Sequence, residues 1–184
     1  LGGVTGTLQQ RADTVYAALT IDQQKTARHI FLSLTQLGEG AEDTRRRITQ
    51  ASLISAQHPE AQVVAVVKRL ADANLIVTDE RTLEGGERSA IVDVAHEALI
   101  RNWPKLRHWL DENRDLLQQQ RRIEQAAEEW SQQPQKQQTR YLLEGRQLTD
   151  AQRFQKQYGS GLPLSEQAET YLALSLTHRR RSEE

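Results

Sequence analysis

Residues 90–110 read Ala-Ile-Val-Asp-Val-Ala-His-Glu-Ala-Leu-Ile-Arg-Asn-Trp-Pro-Lys-Leu-Arg-His-Trp-Leu, and their hydrophobic period changes at the pair His96-Glu97. Before the pair, Ile91, Val92 and Val94 are β-branched and bounded by polar residues, a strand signal. After it, Leu99, Trp103, Leu106 and Leu110 recur at helical spacing. A short strand must therefore hand over to a helix at His96, and Pro104 either kinks that helix or starts a new one. The junction divides the chain. Residues before it read as a small helix-and-wing module, and residues after it read as purely helical.

Upstream, Leu8, Ala12, Val15, Tyr16 and Leu19 predict an amphipathic helix starting near Thr5, with Thr20 placed to cap the next one. Ala27, Ile30, Phe31, Leu34 and Leu37 line a second helix, which Gly38-Glu39-Gly40 stops. The segment from Asp43 to Ile48, with Arg45-Arg46-Arg47, reads as a short edge strand or a turn. Residues 49–57 predict a short helix closed by His58-Pro59, and Pro59 suits the first turn of a helix running to about Ala73 with Val63, Val66, Val67 and Leu70 as its buried face. Leu75 to Thr78 then predicts a strand, and the polar run 79–88 contains Gly85-Gly86, a pair suited to a two-residue hairpin turn at positive φ. Three helices and a two-stranded wing describe a winged helix. The fold expected is mainly α: residues 1–20 as the last helix of a preceding helical domain, 21–96 as the winged helix, and 97–184 as a helical bundle.

In that last region Leu116, Ile123, Ala127 and Trp130 extend a helix to about residue 131, and the Gln-rich stretch 132–138 reads as a linker or capped turn. Tyr141, Leu142 and Leu148, then Ala151, Phe154 and Tyr158, predict two short helices. Ser165 and Glu166 open a final one through Tyr171, Leu172 and Leu176, with a frayed end at Arg179-Arg180-Arg181.

Composition limits the partners. With 24 basic against 25 acidic residues the net charge is -1, so no global field draws the chain to nucleic acid or an anionic membrane. Cysteine is absent, which excludes disulfides and thiolate metal sites, and no window has the length and apolarity of a membrane span or secretory signal; a cytoplasmic location is the default. Methionine is absent and residue 1 is leucine, so the chain is expected to be a piece of a longer protein. No GxxxxGK[ST] phosphate loop, His-Glu-x-x-His zinc spacing or Gly-x-Ser-x-Gly elbow occurs, and catalysis by this piece alone is not expected.

The candidate site is His96. A ring donor at a helix start meets unpaired backbone N–H groups and the positive end of the dipole, a setting that suits a phosphate; an isolated histidine there more often caps its helix or satisfies a carbonyl. Glu97 in the first turn is favourable with the dipole on any reading, and Trp103, Trp109 and Trp130 lie on helical stripes that suit core. The rival reading is a winged-helix DNA-binding transcription regulator. Against it, the helix that would enter the groove starts His58-Pro59-Glu60-Ala61-Gln62, with Lys68-Arg69 late, and Arg45 to Arg47 stand beside Glu39, Glu42 and Asp43.

Val94-Ala95-His96-Glu97-Ala98-Leu99-Ile100-Arg101 followed by Trp103-Pro104 resembles the signal-transduction P-loop ATPases with numerous domains, the STAND class, in its bacterial branch whose ATPase modules often precede WD40 repeats. The resemblance covers about residues 1–130. It implies that His96 contacts the β-phosphate of bound ADP in the full-length protein, supported by Glu97, Arg101 and Trp103; the apoptosis and plant-resistance relatives carry aspartate where Glu97 stands. Gly2-Gly3-Val4 aligns with a Gly-x-Pro segment near the adenine, and the proline is missing here. The implied function is a regulatory arm that holds an ADP-bound resting state and relays ligand sensing to oligomerisation with ATP. The implied partners are the chain's own P-loop ATPase domain in cis, downstream sensor repeats and further copies of itself; the composition and residues given above speak against a membrane and against DNA. No cofactor belongs to this piece, and ADP or ATP with Mg belongs to the whole protein.

Overall fold

A computed structural model describes residues 3–82 and 84–184, with backbone only for Gly3, Val4 and Thr5. The expected contact at Gly2 lies outside the described residues. The chain divides into two compact units, one formed by residues 1–54 and 58–114 and the other by residues 55–57 and 115–184. The architecture is mainly α, with a wing-like hairpin followed by a helical bundle.

The first unit opens with helix α1 (Gly3–Ala18) and helix α2 (Ile21–Ser33). Thr20 separates them as a capping box: its side chain accepts from the Gln23 N–H while the Gln23 side chain accepts from the Thr20 N–H. Next come two short pairs, β1 (Thr35–Gln36) with β2 (Thr44–Arg45), and β3 (Ile48–Thr49) at the edge of a three-stranded sheet. The segment expected as an edge strand or a turn thus holds two strand fragments, joined through Arg46 and Arg47. The short helix expected over 49–57 is only a 3-10 turn, Gln50–Leu53, because the Thr49 side chain caps it at the Ser52 N–H and Ile54 is already extended. Helix α3 (Glu60–Asp72) starts one residue after Pro59 and buries Val63, Val66, Val67 and Leu70, as its spacing predicts.

The wing is longer than the apolar pattern indicates. Strands β4 (Ile76–Thr82) and β5 (Arg88–Val94) pair antiparallel from Ile76↔Val94 out to Thr82↔Arg88, so the strands reach into the polar run from both ends. Its outer residues are wet on both faces and carry no alternation to read. Gly85 and Gly86 both take positive φ, 102° and 85°, but the connection between the paired Thr82 and Arg88 is longer than a two-residue turn. The sheet order β3-β5-β4 puts β5 at the centre, where Val92 and Val94 are fully buried.

The helix after His96 is short. Helix α4 (Glu97–Asn102) ends at Trp103, whose ψ of 110° is the extended geometry enforced on a residue preceding proline, and Pro104 starts helix α5 (Pro104–Ser131). Of the two readings of Pro104, a new helix is the observed one.

In the second unit the α5 core positions are Leu117, Ile123 and Ala127; Leu117 is buried where the spacing favours Leu116, and Trp130 is half-buried against the Tyr171 ring at 5.4 Å. The two short helices expected over 141–158 are one, α6 (Gly145–Tyr158), burying Leu148, Ala151 and Phe154, while Tyr141 closes a 3-10 turn. Helix α7 (Glu166–Glu183) is capped by Ser165, whose Oγ accepts from the Ala168 N–H and donates to Glu124. It continues as helix through Arg179-Arg180-Arg181 instead of fraying there.

Candidate functional site

The segment 94–103 is positioned from both ends. Val94 is buried in the central strand, and the Ala95 N–H donates to the Leu75 carbonyl at 2.9 Å. At the other end Trp103 is fully buried, edge-on to Phe31 at 5.1 Å and to Trp109 at 5.5 Å, with its indole N–H donating to Asp13 Oδ1 at 2.8 Å. Leu99 and Ile100 between them are buried too. His96 therefore rides on a braced corner.

His96 itself is exposed. It is the N-cap residue of α4 with extended backbone, φ -139° and ψ 124°, and its ring makes no capping hydrogen bond. The helix it heads has six residues, so its dipole is much weaker than that of the long helix expected here. What remains is an exposed ring on a fixed backbone. Glu97 is half-buried and ion-pairs with Arg101 at 3.7 Å across one turn; Arg101 also reaches Glu42 at 3.3 Å. Arg101 is thus engaged by carboxylates, Trp103 is core, and of the four residues named from sequence only the His96 ring is presented outward without a partner on its own helix. It can supply one N–H to an anion, which is a single contact rather than a nucleotide pocket.

Sequence reasoning missed a second constellation beside it. Asp43, which the sequence places among charged neighbours, is buried with both oxygens occupied. Arg114 donates to them in bidentate fashion at 2.9 and 2.7 Å, Arg107 at 2.9 Å, and the Gly38 backbone N–H at 2.8 Å. The Arg114 guanidinium, helped by Gly38 and Arg107 and opposed by burial, holds the Asp43 carboxyl well below the usual carboxylate range. Asp93 is likewise buried, in β5, and one of its carboxyl oxygens draws Arg47 to 3.4 Å and Arg45 to 4.0 Å. Neither aspartate has a linear signal, since its partners lie on distant elements.

Among the described residues no group of three or more His, Cys, Asp or Glu side chains could hold a metal, and no helix is long and apolar enough to cross a membrane. The second unit carries an open groove of about 620 Å³ between α5 and α6, floored by Ile123, Ala126, Ala151 and Phe154 and rimmed by Arg122 and Arg153.

No curated protein and no solved structure matches the chain. A family model described as Novel STAND NTPase 1 matches residues 1–138, the greater part of the chain, including the helix-and-wing module, the His96 corner and α5. This chain belongs to the Novel STAND NTPase 1 family.

Proposed function

We propose that this chain is the regulatory arm of a STAND-type ATPase, a switch component rather than a catalyst. The observation that carries the reading is the exposed, uncapped ring of His96 on a corner braced by Val94 and Trp103, inside the segment matched by the family. On this reading the winged helix docks against the protein's own P-loop domain in cis, and a His96 ring N–H donates to the β-phosphate of ADP held there. Glu97 favours the start of α4 and holds Arg101, and Trp103 fixes the distance of the corner from the core. ADP or ATP with Mg supplies the charge that the histidine recognises, while most of the nucleotide's contacts come from outside this chain. Breaking the contact on ligand sensing by downstream repeats, of the WD40 kind, releases the arm and permits oligomerisation with ATP.

The test is His96→Ala in the full-length protein. A hydrogen bond to a charged phosphate contributes on the order of 1.5–3 kcal/mol, so ADP should dissociate about 10- to 150-fold faster and activity should rise without ligand. Because the ring is exposed, thermal unfolding of the chain should not change. An unchanged ADP off-rate in a protein that stays silent without ligand would return His96 to an ordinary corner residue.

A further inference from the structure

The groove between α5 and α6 lies wholly within the second unit, and the family reading gives it no task. Its walls are two helical stripes. Gln119, Arg122, Ile123 and Ala126 line it from α5, and Gln147, Asp150, Ala151, Phe154, Gln157 and Tyr158 line it from α6, spacings that keep one face of each helix toward the gap. At 1.5 Å per residue the walls run for about 10 Å on α5 and about 16 Å on α6. The gap is thus a trough about two to three helical turns long.

The walls are anchored to α7 and its cap. Glu124 of α5 accepts from the Ser165 N–H and hydroxyl, the Gln155 amide of α6 donates to Glu169, and the Leu143 N–H at the trough's edge donates to Ser175 Oγ. Ile123 and Phe154 form a buried base, above which Ala126 and Leu143 are half-buried and Tyr158, tilted against Phe154 at 5.8 Å, is an exposed ring.

The polar rim has unspent capacity. Among the described residues, the side chains of Arg122, Gln119, Gln147 and Gln157 have no ion pair or hydrogen bond. Asp150 is the one carboxylate among the described lining residues, and Arg146 and Arg153 already share it at 3.7 Å each. The rim is therefore net positive, with a guanidinium on each wall.

A small ligand suits this shape poorly, because ligand sites cover about 70–90% of their guest and an open trough leaves one long side in water. A helix whose far side is polar loses nothing by that exposure. We propose that the trough docks an amphipathic helix of a partner protein, about two to three turns long, whose apolar stripe is flanked by carboxylates. The stripe meets Ala126, Leu143 and the Tyr158 ring, and the carboxylates pair with Arg122 on one wall and Arg153 on the other. The free glutamine amides donate to the carboxylate oxygens that remain.

The test is a stapled helical peptide of about 15 residues, with leucines along one face and glutamates on both sides of them, titrated into the isotope-labelled 184-residue chain and followed by NMR. Amide shifts should concentrate on residues 119–126 and 147–158 and leave α2 and α3 unmoved. A twin peptide with lysines for the glutamates should bind about tenfold more weakly, and one with serines for the leucines should not bind. Arg122→Glu with Arg153→Glu changes two exposed positions, so the fold should hold while the acidic peptide loses about tenfold in affinity. No shifts with about 1 mM acidic peptide, shifts centred outside the two walls, or equal affinity for the glutamate and lysine peptides would overturn the proposal. So would a concentration-dependent dimer of the chain alone that the double variant dissolves, since the trough would then belong to a second copy.

Discussion

Replacing Asp43 by asparagine keeps the shape of the side chain and removes its charge, which isolates what the buried carboxylate contributes. It accepts four hydrogen bonds, three from guanidinium groups and one from the Gly38 N–H, and the loop that carries it is otherwise polar and exposed. Each bond to a charged group contributes about 1.5–3 kcal/mol when removed singly, but shared acceptors are not additive, and breaking a buried pair costs about 3–5 kcal/mol in total. Arg107 and Arg114 are 31% and 29% exposed at the side chain, so water can recover part of their solvation and the lower end applies. We therefore expect Asp43→Asn to destabilise the first unit by about 3 kcal/mol. The assay is urea unfolding followed by tryptophan fluorescence in a Trp130→Phe background, where only Trp103 and Trp109 of that unit report. With a slope of about 2 kcal/mol per molar, the midpoint should drop by roughly 1.5 M. A double-mutant cycle with Arg114→Ala should return a coupling above about 1 kcal/mol. A loss under about 1 kcal/mol, or additive single effects, would show that Asp43 is a solvated surface group after all.

Three further outcomes are expected. Trp103→Phe leaves a void in the core and strips Asp13 of its indole donor; since Asp13 is exposed and rehydrates, the cost should be about 2 kcal/mol, read by thermal unfolding. Ser165→Ala removes the cap of α7 and the hydroxyl bond to Glu124, and should cost the second unit about 1–2 kcal/mol, read by Trp130 fluorescence in urea. Calorimetry of the 184-residue chain with ADP should give no micromolar binding, because one exposed histidine supplies a single contact; a micromolar constant would place a nucleotide site within this chain.

The parts legible in the sequence are those governed by local periodicity. The stripe of α3, the cap at Thr20, the strand-to-helix change at His96 and the cap at Ser165 all depend on residues within a turn or two of each other. The wing is legible only at its buried base, since its outer ladder is set by cross-strand hydrogen bonds between polar residues. The break at Trp103 shortens a helix whose apolar spacing runs on unbroken, because backbone geometry before proline overrides side-chain pattern. Asp43 and Asp93 are illegible for one reason: each is a polar group made tolerable by partners on elements far along the chain, and no linear window contains both halves.

Those same hidden partnerships bear on the DNA alternative, which rests on the helix-and-wing outline alone. A groove reader needs donors at the exposed start of its recognition helix and cations free to replace counterions on phosphates. Here the exposed positions at the start of α3 are Glu60, Ala61 and Val64, while Gln62 turns its amide inward to Thr26 and the Asp22 carbonyl. Arg45 and Arg47 are drawn to the buried Asp93, Arg107 and Arg114 to Asp43, and Arg101 to Glu42 and Glu97. Each of these would have to leave a carboxylate of its own chain before neutralising a phosphate, exchanging one ion pair for another with little net gain. These five arginines therefore offer little counterion release, the main source of affinity for a duplex, and the ion pairs of Arg101, Arg107 and Arg114 instead tie α4 and α5 to the loop that carries Glu42 and Asp43.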